Sequence, residues 1–217
     1  AIQFADTFEC LDVEIISKIA NSLVSGSLEF DNFERVIMNR VNSMWFESHT
    51  AEYGVLLATV RFLRALDKSI PKDLTVNEYI NKYVNEYYKI DTEYRKAVTF
   101  YRQIGFPSVE FEQLMDVIEN SYQIKFLDVL GPAYSTALSK QDDWDFIGVD
   151  MSKDFYRYIQ KNPTKKMFVI ISDALRYEIG YEIFEKIKVN KVLKGGAEIS
   201  HMISPLPSIT SFGMASL

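Results

Sequence analysis

The sequence predicts a mostly α-helical N-terminal domain followed by the first β-α-β portion of an α/β domain. Three observations carry that prediction. Through residue 164, apolar residues recur at helical spacing in segment after segment. From Lys165 the pattern changes: Met167–Ile171 is a short, continuous apolar run, the pattern of a strand buried on both faces of a parallel sheet. The charge reverses at the same place. The 217 residues carry a net charge of −6, yet residues 165–217 hold more Lys and Arg than Asp and Glu. The predicted domains are therefore 1–164, helical, and 165–217, the truncated start of the α/β domain.

The helices follow in order. Leu11, Ile15, Ile19, Leu23 and Val24 share one helical face, and Gly26 is a suitable stop. Val36, Ile37, Val41 and Met44 mark a second helix over 33–45, and a third spans 51–66, before Pro71. Thr75 and Glu78 have the spacing of a capping box. Behind them Val76, Tyr79, Ile80, Tyr83, Val84, Tyr87 and Tyr88 form an apolar stripe, which reads as a helix–helix interface rather than a ligand site. Helical pattern continues to Gly105, with a break expected near Asp91. Pro107 opens the next helix, with Phe111, Leu114, Met115, Ile118, Tyr122, Phe126 and Leu130 on one face and Gly131-Pro132 as a stop or kink. Asp142, Asp143 and Asp145 around Trp144 read as a solvated turn, because the ligand spacing of a calcium loop is missing. In the second domain, Leu175, Ile179, Ile183, Phe184 and Ile187 give a helix. Gly195-Gly196 is a turn and 197–203 a second strand.

Composition excludes some functions. A net charge of −6 argues against a protein whose main task is coating nucleic acid. Cys10 is the only cysteine, so no intramolecular disulfide forms; this fits a reducing, cytoplasmic setting, and Cys10 is expected to be a small buried apolar residue. No apolar run is long enough to span a bilayer, so no membrane partner is expected. The chain starts AIQF and ends seven residues after Thr210, which reads as a piece of a longer protein. An incomplete sheet is expected to pack on the helical domain, to form a homodimer through its exposed edge, or to be poorly ordered.

Two positions carry the chemistry. In open α/β sheets, ligands collect at the carboxyl ends of strands. Asp173 sits at such an end, where a carboxylate can ligate a metal or cap the next helix; spacing alone favours the cap. Pro207-Ser208-Ile209-Thr210 follows the second strand and precedes a helical start at 211–217. A hydroxyl there suits a nucleophile attacking phosphorus, provided a divalent metal lowers its pKa. A capping Ser or Thr is the plainer alternative.

The segments VIISDALRYE and LPSITSFGMASL, in this order, resemble the PglZ family of BREX phage-defence systems, within the alkaline phosphatase superfamily. YYKIDTEYRKAVTFYRQI resembles the region that precedes the catalytic domain in type A members. The resemblance implies an alkaline-phosphatase-like α/β domain in a metal-dependent phosphatase or phosphodiesterase. It makes Asp173 a metal ligand and Thr210 the metal-bound nucleophile, with Ser208 and Ser211 as weaker candidates for the hydroxyl. Arg176 would contact phosphate or form a structural ion pair. His201 reads as a strand-face residue rather than a ligand. The implied metal is Zn2+, but two ligands cannot hold it tightly, so this stretch alone is expected to be inactive. The implied partners are other BREX proteins, with nucleic acid a partner of the full-length protein only. The competing reading is a helical interaction module that docks those proteins.

Overall fold

The computed structural model describes residues 7–141, 148–161, 168–190, 196–206 and 208–215. The expectations for the Asp142–Asp145 cluster, Lys165-Lys166, Met167, Gly195 and Pro207 lie outside the described residues. The fold class holds: the described chain is mostly helical, with one small parallel sheet. The helices are α1 Cys10–Val24, α2 Phe30–Arg40, α3 Thr50–Leu66, α4 Val76–Lys82, α5 Tyr88–Tyr101, α6 Val109–Ser121, α7 Asp128–Ser139, α8 Phe155–Lys161, α9 Tyr177–Val189 and α10 Thr210–Ala215. The strands are β1 Asp150–Met151 and β2 Met202–Ile203.

The chain divides into two compact units. One takes residues within 1–74 and 89–136, the other 75–88 and 137–217. In the first unit, α1 packs against α3 and α6, and α2 against α3. Ile15, Ile19 and Leu23 of α1, Ile37 of α2, Leu56, Val60 and Phe62 of α3, and Leu114 and Ile118 of α6 are buried. Each such side chain contributes about 1.5–3 kcal/mol on leaving water. Gly26, with φ +81°, ends α1 as the sequence predicts. Gly54 permits a close approach inside this unit: a Cβ there would stand 2.5 Å from the ring of Phe100. Tyr94 and Tyr122 stack with centroids 3.9 Å apart, and the Tyr122 hydroxyl donates to Asp91 Oδ1 at 2.6 Å.

At the centre of the first unit lies a polar group. Asp12 and Arg40 are almost wholly buried. Arg40 donates from Nε to Asp12 Oδ1 at 2.9 Å and from Nη2 to Oδ2 at 2.6 Å; the Tyr53 hydroxyl donates to Oδ1 at 2.5 Å. Burial pushes the Asp12 carboxyl up, but the Arg40 and Tyr53 hydrogen bonds and the guanidinium charge outweigh it and hold it below its ordinary value. Burial, reinforced by the neighbouring carboxylate, pushes the Tyr53 phenol well up.

Several boundaries differ from the sequence reading. Residues 41–45 lie outside α2, and Met44 is exposed. The helix does not break at Asp91; the irregularity is a π turn at 83–87, and a second stands at 122–127. α7 runs on through Pro132, whose ring nitrogen cannot donate to the Asp128 carbonyl. Cys10 is exposed, because it opens the first turn of α1 off the buried face.

The second unit departs most from expectation. Phe168–Ile171 forms no strand, and its residues are exposed, Ile170 to 91%. A strand buried on both faces needs a paired neighbour and a covering layer, and the side chains of this run stay open to solvent instead. Of the predicted second strand only β2 is paired, and its partner is β1, in parallel, with Asp150 opposite Met202 and Met151 opposite Ile203. α4 opens with the predicted capping box, Thr75 and Glu78 each bonding the other's backbone amide. The tyrosine stripe packs as predicted: Tyr88 meets Tyr177 edge-on at 5.6 Å and Tyr181 at 4.6 Å.

Candidate phosphoryl-transfer site

The site begins where the apolar run ends. Ser172 leads into a turn at Asp173 and Ala174, and Ala174 adopts φ +55°. That left-handed conformation costs an alanine roughly 1–2 kcal/mol. It turns the chain sharply between Asp173 and α9. α9 starts at Tyr177 with Arg176 at its cap position. Asp173 is therefore not the N-cap that spacing favoured; it stands one turn too early to reach the first free amides of α9.

The other half of the site is the first residue of α10. Thr210 is exposed, and its Oγ1 donates to the Asp173 carboxylate, 3.1 Å from Oδ2 and 3.3 Å from Oδ1. The two groups, 37 positions apart in sequence, meet on an open surface. Both present oxygen, the donor type preferred by hard divalent cations and accepted by zinc. They amount to two donors. Among the described residues no group of three or more His, Cys, Asp or Glu side chains lies close enough to hold a metal ion. Ser208 and Ser211 are exposed beside Thr210.

The remaining predicted residues lie on or before α9. Arg176 pairs with a carboxylate of its own turn: Nε lies 3.0 Å from Glu178 Oε1. The Glu178 side chain is fully buried, while that of Arg176 is half exposed. His201 is half-buried, its ring edge-on to Tyr177 at 6.3 Å. A groove of about 430 Å³ opens between α9 and residues 197–202, lined in part by Arg176, Tyr177, Phe184, Glu198 and His201. Asp173 and Thr210 do not line it. The chemistry, a hydroxyl against a carboxylate, marks the pair rather than the groove as the candidate site. Sequence reasoning missed Glu178. The signal was present, since Glu178 lies one helical turn before Tyr181 and Glu182 in a helix whose apolar positions begin at Leu175.

Residues 153–217 match the family described as the BREX system PglZ alkaline phosphatase-like domain. The chain is 32% identical over 229 residues to the alkaline phosphatase-like protein PglZ of Bacillus cereus (strain H3081.97), an alignment covering 98% of this chain and 25% of that protein. It is 28% identical over 236 residues to the alkaline phosphatase-like protein BrxZ of Escherichia coli O9:H4 (strain HS), covering 98% of this chain and 27% of that protein. The chain thus spans about a quarter of the length of these relatives. No solved structure matches it. Among the described residues no helix is long and apolar enough to cross a membrane. The resemblance read from VIISDALRYE and LPSITSFGMASL is borne out: residues 153–217 match the BREX system PglZ alkaline phosphatase-like domain, and along 98% of its length the chain is similar to proteins named PglZ and BrxZ.

Proposed function

We propose that Asp173 and Thr210 are part of the centre of a metal-dependent phosphoric ester hydrolase, with Thr210 as nucleophile and Asp173 as a metal ligand. The observation that carries this is the hydrogen bond from Thr210 Oγ1 to both Asp173 oxygens. Zn2+ is the cation favoured by the family resemblance; when bound, it supplies a positive charge that lowers the pKa of a ligated hydroxyl. Asp173 holds the threonine oxygen in place through the existing hydrogen bond. Thr210 presents that oxygen at an exposed position, open to a phosphoryl group. Arg176 is the proposed phosphate contact and Ser211 a weaker one.

Two donors fall short of the three or four protein ligands zinc normally takes. The remaining ligands are expected in the part of the PglZ proteins that this chain does not span, and the chain alone is expected to be inactive. The helical residues, with their excess of Asp and Glu, are proposed to dock other BREX proteins. A pull-down with the whole chain as bait tests that assignment; failure to retain any BREX protein removes it.

The site is tested in two ways. In a PglZ protein containing this sequence, Thr210→Ala is expected to lower kcat with a nitrophenyl phosphate or phosphodiester by more than about a thousandfold. Unchanged turnover sinks the nucleophile assignment. In the 217-residue chain, Mn2+ is expected to broaden the amide resonances of 172–174 and 209–211 selectively, with the effect lost in Asp173→Asn. Uniform broadening along the chain rules out the metal-ligand role.

A further inference from the structure

The second unit leaves two kinds of apolar surface open. The run Phe168–Ile171 is the first: Phe168 is 81% exposed, Ile170 91% and Ile171 53%. The groove beside α9 is the second. Leu175, Ile183, Ile187 and Met202 line it, and each stays more than a third exposed. Arg176 and Glu198 line it too, so charge of both signs stands beside the apolar side chains. The run does not line this groove. A protein that exposes much contiguous apolar surface generally uses it for contact.

Run and groove match in size and chemistry. Four residues drawn out as a strand reach about 13 Å, and the helix from Tyr177 to Ile187 along the groove spans about 15 Å. The groove encloses about 430 Å³, room for apolar side chains. The four residues of the run and those four of the groove together leave open roughly the surface of four whole residues, about 400 Å² if each buries roughly 100 Å². Two copies, each giving its run and its groove, would cover about 800 Å² of apolar surface; with the polar share of an ordinary interface this makes about 1,300 Å², inside the range of specific pairs. Every copy carries both parts, so two contacts related by a two-fold axis close the pair and leave neither run nor groove over.

We propose that two copies of this chain associate reciprocally, the Phe168–Ile171 run of each lying in the groove between α9 and residues 197–202 of the other. The hydrolase reading is not needed for this, since Asp173 and Thr210 do not line the groove. An interface of this size with a dissociation constant of about 10 μM leaves the chain single in dilute solution, where the run is open to water.

Sedimentation equilibrium of the whole chain tests the pairing. Between about 1 and 200 μM the mass is expected to rise from 25.1 kDa toward twice that value. Ile170→Glu in the run and Ile183→Glu in the groove are each expected to raise the dissociation constant more than about tenfold, because each sets a carboxylate against apolar surface. Both positions are exposed, so neither substitution is expected to alter Tm in dilute solution. The deciding measurement is an equimolar mixture of the two variants. Ile170→Glu keeps an intact groove and Ile183→Glu an intact run, so the mixture regains one of the two contacts and is expected to associate more tightly than either variant alone. A mass that stays at 25.1 kDa throughout overturns the proposal, as does a mixture no tighter than its components. Association lost in Ile170→Glu but kept in Ile183→Glu would show run against run and overturn it equally. So would a single chain whose 168–171 amide resonances shift in Ile183→Glu, which would place the run in its own groove. If Ile183→Glu does not fold, Ile187→Glu, one turn further along the same face of α9, takes its place.

Discussion

Asp12 shows how a single side chain can hold a helical unit together. Its carboxylate accepts from Nε and Nη2 of Arg40 and from the Tyr53 hydroxyl at once, all out of water. Asp12→Asn leaves the guanidinium buried without its counter-charge and is expected to cost about 3–5 kcal/mol in urea unfolding. The pH dependence follows from the lowered carboxyl. A depressed folded-state pKa gives stability that is present above the ordinary carboxylate value of about 3.9 and lost as pH falls through the folded value. Wild type should therefore lose stability more steeply than Asp12→Asn below about pH 4, as read by urea midpoints across that range. Gly54 makes a second test. Alanine is the better helix former, but its Cβ would strike the Phe100 ring. Gly54→Ala is expected to destabilise by about 1–2 kcal/mol; a rise in Tm would show that the ring yields freely. Asp12 was not singled out from the sequence, although its place four residues ahead of Ile16 on α1 was visible there. Its partner was not, because nothing in a sequence aligns residue 12 with residue 40. Asp173 and Thr210 present the same difficulty: each is an ordinary capping residue by spacing, and only the family resemblance joined them.

At the scale of elements, periodicity succeeded where one face alone decides. α1, α3, α4 and α6 stand where their stripes predict, and the capping box at Thr75 marks the start of α4. Periodicity was blind to the two π turns, because one extra residue in a turn leaves the apolar pattern almost unaltered. It failed on Phe168–Ile171 for a different reason. Continuous apolar sequence states what a segment would bury, whereas the side chains of this run stay exposed. Ile170→Ser is consequently expected to change the stability of this chain by less than about 0.5 kcal/mol while raising its solubility limit. A large loss of stability on urea titration would show instead that the run is covered.

For the whole molecule, the sequence marks a change of character near residue 165, where apolar periodicity gives way to a continuous run and the charge balance reverses. Compactness draws other lines, joining 75–88 with 137–217 and 89–136 with the first 74 residues. Sequence pattern is local, whereas a compact unit is made by contacts, and Tyr88 finds Tyr177 and Tyr181 far along the chain. That interleaving has a consequence for synthesis on the ribosome. The Val84 carbonyl leaves the exit tunnel 93 residues ahead of the Tyr177 hydroxyl that bonds it. Until α9 emerges, Tyr83 and Tyr88 lack the Tyr177 ring that stands edge-on to both, and this is the interval in which chaperones would meet them.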